Sequence, residues 1–205
     1  MSQKSNPHGS APPRRTNEAR SAHTRQALID AARQLFIDNG FAATSTPEIV
    51  TMAQVTRGAL YHHFADKTDL FKSVVHAEAQ AVAQEINRNA AQPESALGAL
   101  LDGANGYFIA MAKPGRARLL LIEGPAVLGP DTMSQLNSDT STATLADGLA
   151  QAMRDAHDIN ATPIKELAEV LGSGFDRAAL AVAGGESVEP YQQAFRLLFE
   201  RLVSK

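Results

Sequence analysis

Apolar residues recur at helical spacing along nearly the whole chain, and the two-residue alternation of a half-buried strand is almost absent. Over 22–39, Leu28, Ala31, Ala32, Leu35 and Phe36 fall at i, i+3, i+4, i+7 and i+8. That spacing predicts one helix, with Gly40 as its left-handed cap. Two short helices follow, over 45–53 and 56–64, and then a long one over 66–90. The long helix is capped by Asp66, with Phe71, Val74, Val75, Val82 and Ile86 as its buried stripe. Leu97, Leu100, Leu101, Ala104, Phe108 and Met111 share a face over 93–113. A helix over 116–123 ends at Gly124-Pro125, and a short apolar piece, 126–128, runs to Gly129-Pro130. One helix is predicted over 131–157. Another starts at Thr162-Pro163 and stops at Gly184-Gly185. The last spans 190–203, with Phe195, Leu198, Phe199 and Leu202 on one side. Before residue 22 the chain carries Pro7, Pro12 and Pro13 among Ser, Asn and Gly, which predicts a disordered tail. The fold class is all-α, a three-helix head over 22–82 and a helical body over 83–205.

The head holds the most informative stretch, 45–64. Ser45 and Glu48 stand at capping-box spacing, and Pro47 suits a first turn, where a missing N–H costs nothing. Ile49, Val50 and Ala53 give the first short helix an inner face. After a break at Gln54-Val55, Thr56 caps the second. Leu60 and Phe64, four apart, point inward and leave Arg57, Ala59, Tyr61 and His62 outward, with His63 packed inward. Two short helices across a tight turn, the second with a basic and aromatic outer face, read as a helix-turn-helix. Arg57 is then placed to bond a guanine edge or a phosphate. Tyr61 and His62 suit phosphate oxygens, as does Lys67 at the next helix start. Thr46 and Thr56 combine capping with a hydroxyl for phosphate. Gly58 allows close approach to the groove wall. Arg25, in the first turn of the first helix, faces the DNA backbone. Arg14, Arg15 and Arg20 are either a phosphate-touching arm or a solvated tail.

These residues carry a resemblance. Thr24-Arg25, Ala31-Ala32, Leu35-Phe36, Gly40-Phe41, Thr44, Ile49, Ala53, Val55-Thr56, Gly58, Leu60-Tyr61, Phe64, Lys67 and Leu70 resemble, in order and spacing, the DNA-binding domain of the TetR family of bacterial transcriptional repressors. The run from Val55 to Phe64 is the specific part. Gln54 departs from the pattern, standing where the turn normally carries Gly; if that position needs a positive φ, Gln adopts it under strain. The resemblance implies a homodimer on near-palindromic double-stranded operator DNA, a small-molecule effector inside the body, and dimerisation through the helices at about 163–183 and 190–203. Gly172, Gly174, Ala178, Ala179 and Ala183 suit close helix approach, either in such a dimer seam or within one subunit. Ligand-lining candidates are Tyr107, Phe108, Met111, Met133 and Phe175, with Arg118 and His157 for polarity. Few aromatics and no Trp favour a small or aliphatic effector.

Charge sharpens the picture modestly. Residues 1–72 hold nine Lys/Arg against six Asp/Glu, and 73–205 hold ten against sixteen, within whole-chain totals of 19 and 22. A basic end on an acidic body suits a protein that presents one end to phosphate. There is no cysteine, so disulfides and thiolate metal sites are excluded. No apolar run approaches the ~20 residues of a membrane helix, and no signal-peptide pattern opens the chain, which points to the cytoplasm. The pairs and singles among His62, His63, His76 and His157 match no H-E-x-x-H or E-x-x-H pattern, so no metal or other cofactor is expected. No nucleophile elbow, P-loop or dinucleotide fingerprint is present, so no catalytic residue is expected. The function that follows is a ligand-responsive DNA-binding repressor. The alternatives are an activator of the same fold, an all-α enzyme that keeps a helix-turn-helix head, and a helix-turn-helix used for protein contact.

Overall fold

A computed structural model of the chain describes residues 17–138, 140–154 and 162–204. Among the described residues every regular element is helical. The first helix, α1 (Asn17–Ala43), begins five residues before the expected start, so 17–21 belong to a helix and not to the tail; 1–16 lie outside the described residues. Arg25 consequently sits in the third turn, not the first. Gly40 interrupts α1 at φ 82°, ψ 163°. That is not the left-handed cap expected but a conformation open essentially to Gly alone, and a last turn resumes beyond it.

The head closes with α2 (Thr46–Met52) and α3 (Arg57–His63), and α4 (Lys67–Asn89) leaves it for the body. Asp66 caps α4 by accepting from the Asp69 N–H at 2.8 Å, and Lys67 starts the helix. Leu28, Phe36, Ile49, Leu60, Phe64, Phe71, Val74 and Val75 form the head core. The rings of Phe36 and Phe41 both meet Phe71 edge-on, at 5.1 and 4.9 Å.

The body begins with α5 (Ala96–Met111), capped by Ser95, and packs backbone to backbone on α4. A Cβ on Gly106 would lie 2.9 Å from the Glu85 carbonyl oxygen and 3.0 Å from Cα of Ile86, so only glycine permits this approach. Then come α6 (Arg116–Arg118), a π-helical turn (Leu119–Glu123) and α7 (Gly124–Leu128). The expected break at Gly124-Pro125 does not occur. The Gly124 N–H reaches back five residues to the Leu119 carbonyl, and the widened turn admits a proline that has no N–H to lose. Gly129, at φ 84°, ends the run instead.

The single helix expected over 131–157 is two, α8 (Pro130–Ser138) and α9 (Ser141–Met153). The Thr140 hydroxyl donates to the Leu136 carbonyl at 2.7 Å, and its backbone leaves helical geometry at φ −130°, ψ −105°. Side-chain-to-backbone bonding of this kind competes with a helical ladder. The last two helices are α10 (Ile164–Ala183) and α11 (Glu189–Val203). Pro163 stands at the N-cap of α10, and the Ile164 N–H donates to the Thr162 carbonyl at 2.8 Å. Phe175 stacks on Phe195 at 3.6 Å, with Tyr107, Phe108 and Phe199 around the pair. Leu198, expected inside with Phe195 and Phe199, is 48% exposed.

Two polar links bind head to body. Buried Glu78 on α4 accepts from Nε of Arg33 at 2.7 Å and from Nε of Arg116 at 2.6 Å, and Arg116 also donates to the Ala110 carbonyl at 2.9 Å. Burial alone would raise the Glu78 pKa, but the two guanidinium bonds outweigh it and the net direction is down. At the kink, Glu123 accepts the Phe41 N–H at 2.9 Å and pairs with Arg118 at 2.8 Å.

Candidate nucleic-acid interface and body cavity

The helix-turn-helix is built by local chemistry. Ser45 and Glu48 form a complete capping box: the Ser45 N–H donates to Glu48 at 2.8 Å, and the Glu48 N–H donates to Ser45 Oγ at 3.4 Å. The turn closes through Val55 N–H to the Val50 carbonyl at 3.0 Å. Gln54 takes φ 55°, the one non-Gly positive φ among the described residues. Thr56 then caps α3 by accepting the Ala59 N–H at 3.1 Å.

Leu60 and Phe64 are buried and root α3 in the head core. Arg57, Gly58, Tyr61 and His62 are exposed, Ala59 is half-buried, and His63 turns partly inward. The Arg57 guanidinium lies 5.5 Å from the Tyr61 ring centroid, a cation–π contact that holds both side chains on the outer face. Arg57 foremost, and Thr46 of α2 after it, hold the Tyr61 phenol below its ordinary pKa. A Cβ on Gly58 would meet nothing nearer than Thr56 Oγ1 at 3.9 Å, so the fold itself does not require glycine there. His62 and His63 meet edge-on at 5.1 Å. Desolvation, then the neighbouring His62 and Arg25 charges, push the His63 pKa down.

Two cations stand differently from the expectation. Lys67 is turned inward: Nζ donates to the carbonyls of Phe41 and Thr44, both at 2.8 Å, and lies 4.2 Å from the Phe41 ring centroid. Two of its three donors thus close the end of α1, leaving one for anything outside. Arg25 donates to Ser73 Oγ at 3.1 Å and covers the Phe64 ring at 5.1 Å.

In the body a cavity of about 750 Å³ opens between α4, α5, α8, α9 and α10. Of the ligand-lining candidates, Tyr107, Met111, Met133 and Phe175 border it. Phe108 does not; one position and about 100° on from Tyr107 around the helix, it packs on Phe175 and Phe195. Arg118 does not either, because it donates to the Phe36 carbonyl at 3.3 Å and pairs with Glu123 at the head–body junction. His157 lies outside the described residues. Polarity in the cavity comes from residues the sequence reading missed, above all Asp176, whose Oδ1 accepts the Tyr107 hydroxyl at 2.6 Å. Burial raises the Asp176 pKa, and burial with the adjacent carboxylate raises that of Tyr107. The signal was available: an Asp one position after Phe175 on a strongly amphipathic helix faces partly inward.

Among the described residues, no group of three or more His, Cys, Asp or Glu is placed to hold a metal ion, and no helix is long and apolar enough to cross a membrane.

Comparison with known proteins gives this geometry a context. Residues 28–74 match the family described as bacterial regulatory proteins, tetR family. Residues 97–205 match the tetracyclin repressor-like C-terminal domain. The HTH-type transcriptional repressor BepR of Brucella suis is 44% identical over 61 residues, which is 30% of this chain and 29% of that protein. The A-factor receptor protein of Streptomyces griseus is 34% identical over 116 residues, 55% of this chain and 40% of that one. The chain thus matches well under half the length of these curated relatives. A TetR-family transcriptional regulator from Pectobacterium atrosepticum superposes with a TM-score of 0.68 at 26% identity, covering 92% of this chain and 96% of that one.

Proposed function

This chain belongs to the tetR family of bacterial regulatory proteins, and on that footing we propose that it is a DNA-binding transcriptional repressor released by a small-molecule effector. The observation that carries the reading is the outer face of α3. Arg57 and Tyr61 are held there in mutual contact, beside a Gly58 that the fold has no need of. A missing side chain with open space above it suits close approach of an external surface, and a groove wall is such a surface.

In this reading Arg57 reads a base edge or grips a phosphate. Thr46, Thr56, Tyr61 and His62 bond phosphate oxygens, and Ala59 packs at the groove. Arg25 and Lys67 contribute charge to the same face with fewer free donors. The acting unit is a homodimer that joins two copies of the 83–205 body. Val170, Leu197 and Leu198 are 69%, 62% and 48% exposed on α10 and α11, an apolar outer face that a second copy would cover. Two heads spaced ~34–36 Å apart then reach successive major grooves of a near-palindromic operator.

The effector would occupy the body cavity. Ile86 and Asn87 of α4, and Ala90 at its C-terminal cap, line it, and the same helix starts at Lys67 in the head. A ligand that prefers the α4 position incompatible with the operator spacing lowers DNA affinity; one with no preference changes nothing. The protein works by binding, in the cytoplasm, without a cofactor. The test is selection of random duplex DNA at two salt concentrations. Enrichment of a two-fold symmetric site, with affinity falling as salt rises, is the expected result. Weak binding with no enriched sequence overturns the reading.

A further inference from the structure

The body cavity has a one-sided electrostatic character. Its charged lining residues among those described are Asp147, Glu169 and Asp176, and no described Lys, Arg or His lines it. Two of the three carboxylates are at the rim. Asp147 is exposed, and Glu169 is 49% exposed with Lys165 at 3.8 Å. Asp176 is different. It is largely withdrawn from water, no described cation pairs with it, and its one hydrogen bond among the described residues is the 2.6 Å bond from Tyr107 to Oδ1. No described residue donates to Oδ2. The apolar part of the lining includes Leu100, Met111, Met133 and the Phe175 ring.

An ionised carboxylate taken out of water without a countercharge is unfavourable, and folding normally supplies an Arg or Lys beside it. Here folding supplies only a phenol. Resting on the reading of this cavity as the effector site, we infer that its ligand is a cation: an ammonium or substituted-ammonium head on Asp176, with an apolar body along Met111, Met133 and Phe175. The ammonium completes the coordination of Asp176 beside the Tyr107 phenol that already donates to Oδ1. An anionic ligand would meet three carboxylates and no cation among the described residues. A neutral ligand can at most donate a hydrogen bond to Asp176 and leaves its charge uncompensated. The raised Asp176 pKa agrees in direction with a carboxylate short of a partner.

Calorimetry on the full chain with matched probes tests this: decylammonium, decanol and decanoate, and the ammonium, alcohol and carboxylate of the 4-phenylbutyl series, each below its aggregation limit. The ammonium member is expected to bind about tenfold or more tighter than its alcohol in at least one series, with the carboxylate weakest. In Asp176→Asn, checked for a cooperative melt, that preference disappears. Equal or tighter binding of the alcohol or carboxylate in both series overturns the inference, and so does an ammonium preference that survives in Asp176→Asn. The wild-type series decides the matter even if the variant fails to fold. DNA selection on the same preparation separates the two readings. Sequence-selective binding without ammonium preference removes only the ligand class, and ammonium binding without DNA selectivity removes only the repressor.

Discussion

Nε of Arg116 stands 2.6 Å from Oε2 of Glu78, and both residues are buried, while the other Glu78 oxygen takes Arg33 at 2.7 Å. Removing the carboxylate leaves a guanidinium that is 3% exposed with no counterion. Glu78→Gln should therefore cost about 3–5 kcal/mol, whereas replacing both partners, Glu78→Met with Arg116→Met, should recover most of that loss. Urea denaturation of the two variants beside the parent measures both; a Glu78→Gln loss under about 1 kcal/mol would remove the pair from the account of stability.

Two carboxylates give opposite pH signatures. The Glu78 pKa is lowered on folding, so its contribution is present above the ordinary glutamate range and is lost as pH falls through the lowered value. The Asp176 pKa is raised, so the folded state holds its proton longer and stability declines as pH rises from the ordinary aspartate range through the raised value. Melting curves across the acidic range should show the first slope vanish in Glu78→Gln and the second in Asp176→Asn. Asp176→Asn should be at least as stable as the parent at neutral pH.

Gly58→Ala separates folding from recognition. A Cβ has room in the free protein, and alanine favours a helix over glycine by up to about 1 kcal/mol, so stability should hold or rise slightly. If α3 approaches DNA as proposed, operator affinity should nonetheless fall, because the methyl group fills space at the closest approach. Unchanged affinity in a mobility shift would place Gly58 outside the interface.

Arg57→Ala should weaken specific binding by about 1–3 kcal/mol if Arg57 reads a base. An equal loss on random DNA would leave it as a phosphate contact. Tyr61→Phe removes only the hydroxyl that Arg57 and Thr46 polarise, and should lower affinity without relaxing sequence preference. The comparison needs both variants on selected and scrambled duplexes.

Gln54 holds φ 55° in the turn between α2 and α3. Gln54→Gly relieves about 1 kcal/mol of backbone strain but gives the unfolded chain more freedom, so the net gain should be a few tenths of a kcal/mol. Gln54→Val, β-branched and worse suited to this region, should destabilise by about 1–2 kcal/mol. Thermal denaturation ranks the three; a Val variant as stable as the parent would show the turn to be free of strain.

The parts legible in the sequence are those whose chemistry is local. The Ser45–Glu48 box, the Thr56 and Asp66 caps and the Leu60–Phe64 root each join residues at most four apart, and each stands where the spacing put it. What was missed depends on distant partners. Lys67 is drawn inward by carbonyls 23 and 26 positions away, and Arg116 finds Glu78 across 38. Periodicity put Phe108 on the inner face without Tyr107, and could not show that Phe108 meets an aromatic stack while Tyr107 meets a void. The π turn before Pro125 escaped for a related reason: proline and glycine announce a break, and only the surrounding packing decides whether the helix widens to pass them.

At the Gly40 kink the Phe41 N–H donates to a carboxylate that belongs to Glu123, beyond the reach of any fragment that stops at residue 82. Arg116, the deeper partner of Glu78, lies beyond it too. If α3 meets DNA as proposed, the segment that reads it is shorter than the segment whose contacts hold it in place. A chimera carrying this head would inherit the shape of its reading surface without the acceptor that closes its back. Swapping bodies among relatives is therefore constrained less by the connecting helix than by whether the new body offers an oxygen where Glu123 now stands.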